Sequence, residues 1–355
     1  MPKTYEDPQF AEFGDFQTPR SLSAGICRFL AKRGVHPAAI VEPTCGQGSF
    51  VESALMYFEG SVGVWAFDCN PGHLHRLQEK LGPESRTRVM CWEQNFFTFD
   101  WPDFVRTLPD NVLFLGNPPW VTNAAIGAMG NVNLPTKSNF QGRSGLAAKT
   151  GAANFDISEW MLIRLAESLR DKRGVIAMLC KTSTARRFLR HAWSTSLVVS
   201  DAALYHIDTA YHFNVTVEAC LLLCRLNHGE KEFSAAIYDS VNADHPRRRF
   251  GLSGNEMVAN LDDYRELQDL DGSAPYRWRS GAKHDCSKVM EFEKSAQGYI
   301  NGAGECIALE DECMYPLLKS SDIGNGRTRP RKYVLLPQRR VGENTEVLRE
   351  RAPLT

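Results

Sequence analysis

Val112-Leu113-Phe114-Leu115-Gly116-Asn117-Pro118-Pro119-Trp120 is the stretch on which the reading of this chain turns. Five uncharged residues in a row read as a buried strand, and the two prolines end it at once. The four residues after the strand supply the groups that a site needs if it is to grip a planar amino group. Asn117 carries a side-chain carbonyl that can accept from an amine. Pro118 and Pro119 fix their own φ, restrict the residue before them and bring no amide hydrogen, so carbonyl oxygens can be held toward a substrate. Trp120 offers a stacking face. Taken alone, the tetrapeptide reads equally well as a Pro-Pro loop with a buried tryptophan.

Working outward, strands and helices alternate. Upstream, the pattern predicts a helix over 21–32 capped by Ser21 and a strand over 39–41 ending in Glu42-Pro43. A small-residue turn over 44–49 comes next, then a helix over 50–58, a strand over 61–67 stopping at Asp68, a helix over 74–81 and a strand over 88–92. Downstream, it predicts an apolar helix over 157–169 and strands over 174–180, 204–207 and 217–224, the last in a terminal hairpin. This order is that of a doubly wound, mostly parallel α/β sheet. Residues 121–154 lack periodicity and read as a loop ordered by substrate, or else as a surface insertion. After Asn227 both signals weaken, so a catalytic domain over 1–235 and a second region over 236–355 are expected.

Bulk properties narrow the classes. The 355 residues suffice for one large domain or two, and 43% hydrophobic with 23% charged residues is ordinary for a globular protein. A net charge of −1 gives no global attraction for nucleic acid, so any such binding must come from local basic stretches. Candidates are Arg186-Arg187 with Arg190, Arg247-Arg248-Arg249, residues 327–332 and Arg339-Arg340, each of which also reads as a solvated face. The ten cysteines include no Cys-x-x-Cys pair and no zinc spacing, so no metal is expected, and Cys220 and Cys224 fall on one face of a buried strand. The sequence shows neither a signal-peptide pattern nor an apolar run of membrane-spanning length. A cytoplasmic protein with free thiols, away from membranes, is expected.

A second constellation precedes the tetrapeptide. In Glu42-Pro43-Thr44-Cys45-Gly46-Gln47-Gly48-Ser49-Phe50, Gly46 and Gly48 allow a tight turn and close approach of a ligand to backbone amides at a helix start. Asp68 ends the next strand, about 20 residues on, where a carboxylate can accept both hydroxyls of a ribose. A third glycine at dinucleotide spacing is missing, and no Lys-Ser/Thr pair stands where a phosphate loop has one. A cationic, phosphate-free nucleoside therefore fits better than a pyrophosphate, with Glu42 facing its positive end.

Together these residues resemble the adenine-specific DNA methyltransferases that use S-adenosylmethionine, in the gamma order of motifs. Residues 42–50 resemble the first cofactor motif, Asp68 the ribose-binding acid, residues 117–120 the catalytic motif, and Asp15-Phe16-Gln17-Thr18-Pro19 the N-terminal motif. Asn154-Phe155-Asp156-Ile157 and the strand after Gly174 resemble later ones, so the likeness spans about residues 10–225. It implies a Rossmann-like sheet of seven strands with a smaller recognition region. It implies cofactor contacts from Thr18, Glu42, Thr44, Gly46, Gly48, Asp68, Asn95, Phe96 and Asn117. At Asn95 the family often has an aspartate; asparagine both donates and accepts, which changes the partners the contact can use.

The same likeness implies that Asn117, Pro118, Pro119 and Trp120 act on the N6 amino group of an adenine flipped out of DNA. Phe213 is the candidate second aromatic, or an ordinary core residue. In the second region, residues 276–285 are basic with interleaved aromatics, and residues 315–323 come after them; both look like target-recognition segments. Arg279, Lys283 and His284 are candidate phosphate contacts. The sequence stops at Thr355, short of the family's usual recognition region, so a partial recognition region is expected: either the sequence is truncated, the gene is shortened, or another polypeptide completes the DNA clamp, and the candidate partners are a restriction endonuclease or a separate specificity polypeptide. Two rivals stay open: transfer to another amino or amide acceptor, such as an RNA base or a protein glutamine, and a silent DNA-binding subunit that keeps the fold.

Overall fold

The structure is a computed structural model and describes residues 17–58, 62–121, 156–272, 286–338, 340 and 342–355. Its elements divide into two units, the first ending at Asp271 and the second starting at Gly272.

In the first unit the strands are β1 (Ala39–Glu42), β2 (Gly63–Asp68), β3 (Val89–Glu93), β4 (Val112–Gly116), β5 (Gly174–Lys181), β6 (Val199–Ile207) and β7 (Ala219–Leu226), succeeded by β8 (Ser234–Tyr238), β9 (Arg248–Ser253) and β10 (Glu256–Val258). Among the described residues they form one sheet in the order β10-β9-β8-β6-β7-β5-β4-β1-β2-β3. β1 lies between β4 and β2 and is parallel to both, with Val41 opposite Phe114 and Trp65. β7 runs antiparallel between β5 and β6. The seven expected strands are thus the body of the sheet, and three more extend it at the β6 side. β8 pairs with β6 in parallel and carries β9 and β10 with it, so these three strands belong to the first unit, which ends at Asp271.

Both faces of the sheet are covered, which is why its central strands are apolar along most of their length, with Glu42 and Lys181 only at the ends of β1 and β5. On one face lie helices α1 (Arg20–Lys32), α2 (Ser49–Tyr57) and α3 (Pro71–Lys80), packed on Ile40, Val64, Leu113 and Leu115. On the other lie α4 (Trp101–Thr107), α5 (Ile157–Ser168) and α6 (Thr182–Ser194), packed on Val41, Phe67, Phe114 and Ile176. Cys220 and Cys224 both face this second core, one turn of the pleat either side of Leu222.

The first helix departs from expectation at its start. Pro19, not Ser21, precedes the first turn, and its carbonyl accepts the amides of Leu22 and Ser23. The hydroxyl that matters is Ser23 Oγ, which reaches the Ser49 carbonyl at 3.0 Å and Ser53 Oγ at 2.8 Å and so joins α1 to the start of α2. Helix α6 was not expected at all. Its buried stripe of Thr184, Ala185, Phe188, Leu189, Ala192 and Trp193 has helical spacing but is interrupted by arginines.

The second unit holds a separate antiparallel sheet of β11 (Glu291–Ser295), β12 (Gly298–Asn301), β13 (Cys306–Ile307), β14 (Met314–Leu317) and β15 (Lys332–Leu335), in the order β13-β12-β11-β15-β14. A short helix (Ser320–Gly324) leaves β14.

Candidate active site

The carboxyl ends of β1, β2 and β4 meet where the sheet's winding reverses, the place at which open α/β sheets form a ligand crevice. The expected glycine turn leaves β1 there. Gly46 and Gly48 have φ of +51° and +86°, and Gly48 forms the N-cap of α2. A Cβ on Gly48 would stand 2.3 Å from Leu77 Cδ1 of α3, so close packing as well as φ requires glycine.

Asp68 ends β2 and holds this turn. Its Oδ2 accepts the Gly46 amide at 2.8 Å, and its Oδ1 accepts the Asn70 amide at 2.8 Å with His73 Nδ1 at 3.3 Å. Asn70 in turn caps α3, accepting the Gly72 amide at 2.9 Å, while Pro71 presets the first turn. The N-terminal motif reaches the same turn: Gln17 Oε1 accepts the Gln47 amide at 3.0 Å, and the adjoining Thr18 is buried.

Glu42, the last residue of β1, is fully buried. Burial pushes its carboxyl well above the ordinary value, the negative charge of Asp68 adds to this, and a hydrogen bond from the Val51 backbone works against it. The Cys45 thiol records the same field: burial raises it first, then Glu42 and Asp68. Among the described residues, Glu42 Oε2 and Thr44 Oγ1 are buried without a hydrogen-bond partner. The glutamate also touches the catalytic strand. A Cβ on Gly116, whose φ is +151°, would lie 3.3 Å from Glu42 Cγ, so the acid of β1 lies against the residue that precedes Asn117.

Asn117 and Pro119 are half-buried, and Pro118 and Trp120 are buried. The Trp120 ring meets Phe213 edge to face, with centroids 5.3 Å apart and planes at 64°. Phe213 ends a short helix (Thr209–Phe213) that comes directly after β6. At that separation the two rings touch each other and leave no room for a third between them.

Just past Trp120, the Val121 carbonyl accepts the Ile157 amide at 3.0 Å. Asp156 caps α5 there and pairs with Lys181 Nζ, at the end of β5, at 2.9 Å.

A comparison with known proteins matches this chain to the type II methyltransferase M.NspV of Nostoc sp., at 39% identity over 348 residues, covering 97% of this chain and 72% of that one. The chain belongs to the type II methyltransferases. No protein-family model matches it. Among solved structures, a Vibrio vulnificus YJ016 protein assigned as the modification subunit of a type I restriction enzyme aligns over 81% of this chain and 58% of its own, with 14% identity and a TM-score of 0.40. TYW2 of M. jannaschii, solved in complex with AdoMet, aligns over 60% of this chain and 74% of its own, with 15% identity and a TM-score of 0.35.

S-adenosylmethionine is the methyl donor of this methyltransferase, and the crevice fits it. Glu42 Oε2 and Thr44 Oγ1 are buried without hydrogen-bond partners, and the unfavourable interaction of Glu42 with Asp68 is one that a cation relieves.

Asn95 and Phe96, just past β3, have contacts within their own segment and in the core. Asn95 uses its side-chain oxygen locally, accepting the Phe97 amide at 2.9 Å. The Phe96 ring goes to the core, 4.8 Å from Trp101 and 5.9 Å from Trp160. Arg279, Lys283 and His284, and the loop over 122–155, lie outside the described residues. Sequence reasoning also missed Gln17, His73 and Gly116. Their signals were slight: a polar residue inside a motif, a histidine one turn into a helix, and a glycine closing a strand. Among the described residues, no helix is long and apolar enough to cross a membrane.

Proposed function

We propose that this methyltransferase acts on the N6 amino group of an adenine in DNA, turned out of the duplex, in a restriction-modification setting. The observation that carries the reading is the seating of Asn117-Pro118-Pro119-Trp120 directly after Gly116, against the buried Glu42. An acceptor-rich turn thus comes immediately beside the acid that faces a cationic donor.

The adenine amino group is a poor nucleophile because its lone pair is delocalised into the ring. The Asn117 side-chain carbonyl and the Pro118 backbone carbonyl accept its two hydrogens, which localises the lone pair on nitrogen. When bound, S-adenosylmethionine supplies a methyl group on a sulfonium, ready for direct displacement without a metal. Asp68 takes the ribose hydroxyls with the acceptor capacity left by Gly46 and Asn70, and Glu42 and Thr44 face the methionine half with Thr18. The work of the chain is orientation and fixed local charge. A base within a duplex is out of reach of such a turn, so it must leave the stack. Trp120 then offers it a face, and Phe213 braces Trp120 from the side instead of closing a sandwich.

The test is transfer of labelled methyl from S-adenosylmethionine to unmethylated genomic DNA, with nucleoside analysis of the product. Label in N6-methyladenine is expected. Label in a cytosine derivative, or none while the cofactor still binds, would turn the reading to another acceptor.

A further inference from the structure

The chain as a whole carries a charge of −1, so any hold on a polyanion must be local. One stretch of the second unit is far from neutral. Between Lys319 and Lys332 the sequence has five cations, Lys319, Arg327, Arg329, Arg331 and Lys332, and one acid, Asp322. The sheet gathers them. β15 pairs with β14 on one side, setting Leu317 opposite Lys332, and with β11 on the other, setting Glu291 opposite Val334. Lys319 and Lys332 thereby converge on one oxygen, Glu291 Oε2, at 2.6 and 3.5 Å. Arg331 and Arg327 converge in the same way on Asp322 Oδ1, at 3.1 and 3.4 Å.

The arrangement is asymmetric in depth. Glu291 and Asp322 are 5% and 9% exposed, whereas Lys319, Arg327, Arg331 and Lys332 are 38% to 63% exposed. Each carboxylate sits beneath two cations and neutralises only one of them. It also cancels part of the repulsion that would otherwise drive the pair apart, so two positive heads are held within a few ångströms of each other at the surface. The Lys319 amide first, then Arg331 and Arg327, keep the Asp322 carboxyl below its ordinary value. For Glu291, burial pushes upward but the bonds from Lys319 and Lys332 outweigh it. Both anchors stay ionised, and the cations stay placed. Arg329, between Arg327 and Arg331 in the chain, is exposed.

We infer that this anchored cation cluster, Lys319, Arg327, Arg329, Arg331 and Lys332 over Glu291 and Asp322, is a phosphate-contacting surface for duplex DNA. It rests on the proposed function, and deepens it by naming where the backbone of the substrate is held. Closely spaced, pre-placed cations suit a ladder of phosphates, and such contacts position the duplex without reading its sequence. A solvated surface of ordinary ion pairs would leave neither the surplus charge nor two cations on a single buried oxygen.

The experiment measures binding of the full chain to a mixed-sequence, unmethylated duplex at salt from about 50 to about 200 mM. It compares wild type, Arg331→Ala and Arg329→Ala, the last an exposed position where folding is not at risk. Each variant is expected to bind more weakly on every sequence, with the slope of log affinity against log salt shallower by about one. Cofactor affinity should not move. Unchanged affinity and slope in both variants, while the wild type methylates the same duplex, would overturn this surface and leave the proposed function standing. A wild type that neither binds nor methylates the duplex would remove both.

Discussion

Asp68 Oδ2 accepts the backbone amide of Gly46 at 2.8 Å, so the acid at the end of β2 holds the turn that leaves β1. The residue expected to bind a ribose is therefore also a brace of the crevice itself. Asp68→Ala should weaken S-adenosylmethionine binding and lower Tm together, since the Gly46 and Asn70 amides lose their acceptor at a cost of about 1–3 kcal/mol each where water cannot replace it. Asp68→Asn keeps one acceptor oxygen and should fall between. Calorimetric titration with the cofactor, beside a melting curve, checks both; an unchanged dissociation constant in the alanine variant removes Asp68 from the cofactor site.

Asn117→Ala should leave cofactor affinity near that of wild type and reduce methyl transfer by at least about a hundredfold, the usual scale for loss of one oriented polar group at a reacting centre. Single-turnover transfer with pre-bound cofactor separates the two effects. Substantial turnover in this variant would mean that the amino group is not held there.

Glu42 sets a pH dependence of unusual sign. Its carboxyl lies well above the ordinary 4.5 in the folded chain. Between the unfolded and folded values the native state holds the extra proton, so this contribution to stability is full below about 4.5 and is lost as pH rises toward the folded value. Glu42→Gln should remove that loss, leaving the protein by itself at least as stable at neutral pH but a poorer binder of the cationic donor. Binding to the wild type should also release protons, measurable as a dependence of binding heat on the ionisation enthalpy of the buffer. Equal heats in all buffers would contradict it.

Lys181 pairs with the buried Asp156, which caps α5 next to the point where Val121 is bonded to Ile157. Lys181→Met leaves that carboxylate short of a partner. A fully buried pair broken in this way costs about 3–5 kcal/mol, and the partial exposure of Lys181 reduces the figure to about 1–3 kcal/mol. The expected result is a lower Tm and slower transfer with cofactor affinity unchanged, because the disturbance reaches the turn after Trp120 and not the crevice at β1.

The sheet and its crevice were legible in the sequence because their signals are local. The run from Val112 to Gly116 has no polar residue, and the acids Glu42 and Asp68 each close a strand at its carboxyl end. What was not legible depends on partners far along the chain. Strands β8 to β10 carry Arg248, Arg249 and Glu256 and gain their place only by pairing beyond β6, so their composition resembles a loop. Helix α6 hides an apolar stripe behind Arg186, Arg187 and Arg190. Phe96 could serve a cofactor or a core by its chemistry alone, and only the fold shows that its ring packs on Trp101 and Trp160. That Trp120 and Phe213 meet could be guessed as a shared role, but their edge-to-face angle could not.

The narrow margin of the large sheet has a consequence of its own. β10 spans only Glu256–Val258, and beyond it, among the described residues, the ladder stops. A long, flat, apolar border would invite another chain to add a strand; three residues give such an intruder too few backbone partners to hold on to. The added strands thus act as a hem. They take the open flank of β6, a strand of nine largely buried residues, and exchange it for one too short to template aggregation while the chain is crowded among its neighbours.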